Sequence, residues 1–453
     1  VVSSASGTKV QLVKMVTCPH CWERFPPEET KWVAVDPSLR GDPRLGSDGQ
    51  RRFLPVRFDP FCRAIDPAGG LCTELACPRC HLTIPRAALE MPPLFISILG
   101  APGAGKSYFL AAALWRLRRT LKRRFLIDFV DADPKANTIV NEYVNRLFNP
   151  VDPTVPVALE TTEKDGQLYE GVNYGDGNLV SYPKPFTFVV QPSPEHPSYG
   201  AQTTSRLLCL YDNAGEHFLP GEETASSPGT RHLAESAGMI FLFDPLQVAA
   251  FRNALRGISH DPQVAAAPWT YQQDRILDEA ANRIRVHARL PQHAKIPKPL
   301  IVAVTKYDVW KPLFDDFELD LGLVLRRATS RLCGLVTDAL ADVSSRLRRL
   351  LSRLAPEIVS AAESMTDDVR YVPVTALGCS PEEPEATGGP TDRPSRADWS
   401  PEGPRRDTKL FVVRPEKLEP RWVELPFIYL MYKAGLALIP ACIRRSRRRS
   451  KEE

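Results

Sequence analysis

A chain of 453 residues, 43% hydrophobic and 25% charged, is long enough for two or three domains and too apolar for a disordered tether. Its formal net charge of +4 is too mild to imply a nucleic-acid partner by itself. The 43 prolines read as linkers and insertions between folded elements.

The opening VVSSASGTKV is polar and lacks the apolar stretch of a secretory leader. The expected setting is therefore a reducing, cytoplasmic compartment. Six of the 10 cysteines precede Pro93, four of them as CPHC (18–21) and CPRC (77–80). In a reducing compartment such pairs are metal ligands rather than disulfides. Zn²⁺ takes four soft ligands in a tetrahedron, and two such turns supply them. One site built from Cys18, Cys21, Cys77 and Cys80 is expected, in a zinc-ribbon-like module over residues 1–93. Cys62 and Cys72 lie inside the gap and leave open a second site or a ligand swap; His20 and His81 stand beside the knuckles. Closed four-cysteine sites are structural. The alternative is a recognition module for nucleic acid or protein, suggested by Trp22, Arg24, Phe25, Arg51, Arg52, Phe53, Arg57 and Phe58.

Residues 94–99 (LFISIL) read as a buried strand. GAPGAGKS follows, from Gly100 to Ser107, and fits G-x-x-x-x-G-K-[ST] between an apolar strand and an amphipathic helix. Gly100, Gly103 and Gly105 let the backbone turn tightly and approach phosphate oxygens. Backbone N–H groups and the helix start supply anion-binding dipoles. Lys106 is the cation for the β- and γ-phosphates, and Ser107 offers a hydroxyl to Mg²⁺. Ala104 and Tyr108 complete the nucleotide-contacting candidates of this loop. The helix that follows carries Arg116, Arg118, Arg119, Lys122, Arg123 and Arg124 as a solvated basic face.

Further buried runs are LIDFV (126–130), FTFVV (186–190), LLCLY (207–211), MIFLF (239–243), LIVAV (300–304) and YVPV (371–374). Helical stretches separate several of them, which predicts an α/β domain. Thr161 or Thr162 is the candidate first-switch threonine. The run ending at Asp212 continues as DNAG, so Asp212 can hold Mg²⁺ through water and the Gly215 N–H can reach a γ-phosphate. Glu216 follows, as a base or as a group that positions water. VTKYD (304–308) again follows a buried strand. Asp308 can accept from N1–H and the 2-amino group of guanine, and adenine offers neither donor. The stem of Lys306 can cover the base. After the last run, Thr375, Ala376 and Leu377 let a backbone N–H approach the guanine O6.

A long helical stretch is expected over roughly 318–364, and residues 379–407 read as an exposed Pro- and Gly-rich loop. Residues 423–443 are apolar but carry Glu424, Pro426, Lys433 and Pro440, so they read as a terminal helix on the core rather than a membrane span. The basic tail, Arg444 to Lys451, leaves peripheral contact with acidic lipid as a lesser alternative.

GAPGAGKS, DNAG, TKYD and TAL, each after an apolar strand and in this order, resemble the motif set of the Ras-like (TRAFAC-class) GTPases over roughly residues 94–440. CPRCH (77–81), GAPGAGKSYFL (100–110) and YDNAGEHF (211–218) are similar to segments of bacterial double-GTPase family proteins. Thr305 stands where that family commonly has Asn, and Glu216 where many members have Gln. The resemblance implies a three-layer P-loop G domain with a mostly parallel sheet and helical insertions at about 246–298 and 309–370. It implies GTP and GDP as ligands, Mg²⁺-assisted hydrolysis, a nucleotide-dependent switch, a bacterial conflict or signalling setting, and a second GTPase or effector as partner. Thr305 joins Lys306 and Asp308 in the implied guanine site. Alternatives are a non-hydrolysing GTP-binding interaction protein and a nucleic-acid-binding zinc protein regulated by nucleotide.

Overall fold

Uninterrupted apolar runs suit a sheet covered on both faces. A computed structural model describes residues 11–159, 169–175, 177–201, 204–212, 230–265, 272–382 and 411–442. After the Cys-rich segment come β1 (Pro93–Gly100), β2 (Ile127–Asp131), the hairpin β3 (Tyr169–Asn173) and β4 (Leu179–Pro183), then β5 (Phe186–Pro192) and β6 (Arg206–Asp212). β7 (Gly238–Phe243), β8 (Leu300–Val304) and β9 (Val369–Pro373) follow. Seven of them form one sheet in the order β2-β5-β6-β1-β7-β8-β9. The pairings from β6 across to β9 are parallel, while β2–β5 and β5–β6 are antiparallel.

Helices α1 (Lys106–Thr120), α2 (Thr138–Phe148), α3 (Gln273–His287), α4 (Thr337–Leu354), α5 (Pro356–Met365) and α6 (Leu425–Lys433) pack around this sheet. In α4 the buried Leu340, Val343, Leu347, Leu350 and Leu351 recur at helical spacing, which directs one face inward. The basic residues of α1 and its extension are less free than their pattern predicts. Arg116 pairs with Glu424, Arg118 with Asp131 and Lys122 with Asp128, and Arg119 lies over the Trp115 ring.

The faces of β6 divide between two cores. Leu208 and Leu210 join the large core with α1. Leu207, Cys209 and Tyr211 point the other way, into a core shared with Cys18, Trp22, Phe25, Leu82 and Ile84. The Cys-rich segment therefore covers one face of the sheet beside the β3–β4 hairpin, whose Val172 and Tyr182 join the same core. Trp22 and Phe25, offered above as recognition residues, are only 3% exposed and serve this packing.

Two stretches differ from the expectation. Residues 318–364 are not one helical run: a short hairpin, Leu325–Arg327 with Cys333–Leu335, interrupts it. Its partner strand comes from far along the chain, since Leu335 N–H donates to the Pro440 carbonyl and Cys442 N–H to that of Leu335. Local periodicity carries no trace of such a partner. Residues 423–442 hold the nine-residue α6 and then non-helical chain, packed on the core. Among the described residues no helix is long and apolar enough to cross a membrane. Most of 379–407 and the tail beyond residue 442 lie outside the described residues.

Candidate functional site

Strand β1 has β6 on one side and β7 on the other, so strand order reverses beside it. Ligands of open parallel sheets bind outside the carboxyl ends of the strands at such a point. The segments after β1, β6, β7, β8 and β9 all leave the sheet at that edge.

The loop after β1 is shaped for close backbone approach. Gly103 and Gly105 have φ of 73° and 85°, in the left-handed region. At Gly100 a Cβ would lie 2.9 Å from the Leu242 carbonyl oxygen of β7. Ala104 is buried and its N–H donates to the Ala101 carbonyl at 3.1 Å, closing the turn. Helix α1 then starts at Lys106 with no side-chain cap. Its N-terminal dipole faces the loop, where an anion is favoured. Lys106 Nζ donates to the carbonyls of Gly100 and Ala101 at 3.1 and 3.2 Å, which holds the ammonium inside the loop. Ser107 follows and is buried. The Tyr108 hydroxyl accepts from Leu159 N–H at 3.0 Å, so this side chain ties α1 to the chain just before residue 160.

At the end of β6, Asp212 is 6% exposed, and its Oδ1 has no hydrogen-bond partner among the described residues. Burial pushes its carboxyl up to about 6, with the Lys106 charge opposing. A desolvated carboxylate of this kind suits a cation. Gly215, Glu216, Thr161 and Thr162 lie outside the described residues.

The guanine candidates converge from β8 and β9. Thr305 Oγ1 donates to the Phe243 carbonyl at 3.1 Å, tying β8 to β7. Tyr307 N–H donates to the Val374 carbonyl at 3.1 Å, which brings the two loops together. The Thr375 hydroxyl donates to Asp308 Oδ1 and accepts from Gly378 N–H at 2.7 Å. Burial lifts the Asp308 carboxyl to about 6, against the Thr375 hydrogen bond and the Lys306 charge, and the charge of Asp261 adds to the rise. Ala376 and Leu377 are partly buried, and Leu377 O accepts from Glu419 N–H at 2.7 Å.

Lys306 behaves differently from a side chain held only by a base. Its φ is 56°, and its Nζ pairs with Asp244 Oδ2 at 2.7 Å. Asp244 follows β7 and is 1% exposed, and Gln273 braces its backbone from both sides. Three residues later, Gln247 Nε2 donates to the Pro102 carbonyl of the loop at 2.9 Å. Its buried Oε1 has no partner among the described residues. Asp244 and Gln247 are absent from the sequence reading. Their signal is DPLQ at the carboxyl end of a buried strand, where polar side chains have no reason to be buried unless a site needs them.

The second centre is the cysteine cluster. Cys18, Cys21, Cys77 and Cys80 are buried, and their sulfurs all lie within 4.8 Å of one another. Cys18 and Cys80 are 3.8 Å apart and Cys21 and Cys77 3.7 Å. A tetrahedron with metal–sulfur bonds of about 2.3 Å has edges of about 3.8 Å. His20 N–H and Arg79 N–H each donate to the first sulfur of their knuckle at 3.4 Å. Burial pushes the Cys18 and Cys80 thiols up, while hydrogen bonding from Cys18 holds Cys77 down. Four soft donors at this spacing fit one Zn²⁺. Cys62 is exposed, and Cys72 is buried away from the cluster beside Asp66. The flanking histidines are engaged elsewhere: His20 Nε2 donates to the Thr83 carbonyl, and His81 Nδ1 meets Asp42.

No known family profile matches the chain. A protein of Mycolicibacterium smegmatis, provisionally named the ESX-1 scaffolding and assembly protein SaeC, is 24% identical over 336 residues. That match covers 69% of this chain and 75% of that protein. Solved structures similar to the chain include sup35 complexed with GDP, at 12% identity and a TM-score of 0.23 over 63% of this chain. They also include the S. cerevisiae Ski7 GTPase-like domain bound to GTP, at 14% identity and a TM-score of 0.25 over 66% of this chain. The chain spans 38% and 48% of those two structures. Likeness at that level assigns no function.

Proposed function

We propose that this chain binds guanine nucleotides and hydrolyses GTP with Mg²⁺, as a switch whose output is its nucleotide state. The observation that carries the reading is the pairing of two desolvated carboxylates at one strand edge. Asp212 is beside the phosphate loop, and Asp308 is tied to Thr375 where a base would lie. Each needs a partner of a different kind: a cation for Asp212, and a pair of N–H donors for Asp308.

In this reading the loop amides and Lys106 hold the phosphates, with Gly100, Gly103 and Gly105 allowing the approach. Ser107 and Asp212 would hold Mg²⁺, which neutralises phosphate charge when bound. Gly215 reports the γ-phosphate, and Glu216 positions the attacking water. Thr305, Lys306, Asp308 and the 375–377 segment accept the base. Unassisted hydrolysis in such sites is as slow as about 10⁻⁴ per second, which favours a switch over a producer of product. A switch output also accords with the scaffolding and assembly role in the name of the Mycolicibacterium smegmatis relative.

The test is calorimetric titration of GTP, GDP and ATP with Mg²⁺, on wild type and Asp308→Ala. GTP and GDP are expected to bind, ATP at least 10²-fold more weakly, and Asp308→Ala to lose the difference. Equal binding of ATP in wild type would sink the guanine assignment.

A further inference from the structure

The end of β6 is held asymmetrically. On one side, its pairing with β1 runs through Ser97↔Tyr211 and Ile98↔Asp212. On the other, its pairing with β5 stops at Leu210. Tyr211 and Asp212 thus emerge with one strand neighbour, just where the nucleotide site begins. Besides β1, what anchors this end is the first cysteine knuckle, through the Tyr211 side chain on one face of the sheet. The Tyr211 hydroxyl donates to the Pro19 carbonyl at 2.6 Å and accepts from Trp22 Nε1–H at 2.9 Å. Pro19 lies inside CPHC, and Trp22 immediately follows Cys21.

The knuckle dictates where these two partners stand. Trp22 has φ of 56°, a left-handed conformation strained for a side chain of its size, and its N–H donates to the Cys18 carbonyl at 3.1 Å. His81 occupies the matching place in the second knuckle, with φ of 64° and N–H to the Cys77 carbonyl at 3.1 Å. Closure of the four sulfurs around a metal therefore sets the Trp22 ring. That ring also meets His232 at 6.1 Å between centroids, and Tyr211 meets His232 at 4.9 Å. Tyr211 and His232 are both fully buried. One indole thus touches the residue before Asp212 and a residue further along the chain, at the start of the short helix His232–Glu235.

Successive strand residues point to opposite faces, so fixing Tyr211 on the knuckle side fixes the aim of Asp212 on the other. From this we infer that Trp22 and Tyr211 are positioning residues that couple metal occupancy of the cysteine cluster to binding at the Mg²⁺ and γ-phosphate end of the nucleotide site. The inference rests on the guanine-nucleotide reading. Linkage makes the coupling reciprocal: whatever factor the metal adds to GTP affinity, GTP adds to metal affinity. The coupling distinguishes GTP from GDP, because Asp212 serves the Mg²⁺ and γ-phosphate end.

The experiment uses the full chain loaded with Zn²⁺. Zinc affinity is measured by chelator competition with Mg²⁺ and either GDP or a non-hydrolysable GTP analogue. Affinity for both nucleotides is then measured on loaded and zinc-stripped protein. In wild type the analogue is expected to tighten zinc about tenfold relative to GDP, and stripping to weaken the analogue relative to GDP by the same factor. Tyr211→Phe keeps the ring and removes both hydrogen bonds; it should still bind one zinc while the factor falls towards one. Trp22→Phe removes the donor to Tyr211 and shrinks the ring that meets His232, while the Tyr211 bond to the Pro19 carbonyl is kept, and should give an intermediate factor. Equal zinc affinity with the two nucleotides in wild type overturns the coupling, as does a full factor in Tyr211→Phe. If no guanine nucleotide binds the loaded wild type, the functional reading falls and this inference with it.

Discussion

Asp212 and Asp308 both carry carboxyls that burial lifts to about 6, at the carboxyl ends of β6 and β8 on one edge of the sheet. In the proposed function both must be ionised, Asp212 to hold a cation and Asp308 to accept two donors. The sign follows. Below pH 6 each site must release a proton on binding, so nucleotide affinity with Mg²⁺ should fall about tenfold per pH unit for each carboxylate. Asp308→Asn should remove one of the two proton dependences, which affinity measured from pH 7 to pH 5 will show. A flat profile in wild type would mean that neither group titrates on binding. Without nucleotide the sign reverses for stability. The folded chain holds these protons more tightly than the unfolded one, so this contribution to stability is present at low pH. It is lost as pH rises from the ordinary carboxylate range through about 6. The loop glycines, Lys106, Asp212 and Asp308 are legible as candidates because each stands at a fixed place after an apolar run. The carboxyl shifts are not legible, since they come from burial by chain distant in sequence. Lys106, for instance, acts on Asp212 only once β1 and β6 are paired.

At the scale of elements, the strands of the large sheet are legible because each is a continuous buried run with no competing period. Their ends shift by a residue or two: Leu126 leaves its run and takes a left-handed φ of 54° before β2. The hairpin Leu325–Leu335 is hidden because its stability is lent by the backbone of residues 440–442. Gln247 is hidden for a related reason, as a single polar residue after β7 that matters through a loop 145 residues away. It clamps the Pro102 carbonyl, and so braces the loop after β1 from the far side, while its own Oε1 has no partner among the described residues. Gln247→Leu should therefore loosen that loop without disturbing the sheet. One lost hydrogen bond is worth about 1 kcal/mol. The expected result is a nucleotide affinity about fivefold weaker, with Asp308-dependent guanine preference intact. An unchanged affinity would make Gln247 a packing residue only.

For the molecule as a whole, the Cys-rich segment is a wall of the sheet rather than a bead beside it. Phe95, Leu207, Cys209 and Tyr211 are 0–6% exposed, and the surface that buries them comes largely from Trp22, Phe25, Leu82 and Ile84. In sequence Leu207, Cys209 and Tyr211 are separated from that segment by the phosphate-binding motif and α1, and nothing in the period of either announces the other. A face this apolar cannot be left to water without association. Metal closure and the fold of the sheet are then parts of one cooperative unit, since a binding free energy realised only in the folded state is folding free energy. The full chain should melt in a single transition that falls by about 5 °C or more when Zn²⁺ is stripped by a chelator. Cys18→Ser should reproduce the fall and make the chelator ineffective. Two separate transitions, only the first moving with zinc, would instead show a module that folds by itself. The wall would then be a lid of convenience, and the covering of Leu207 and Tyr211 would owe nothing to the metal.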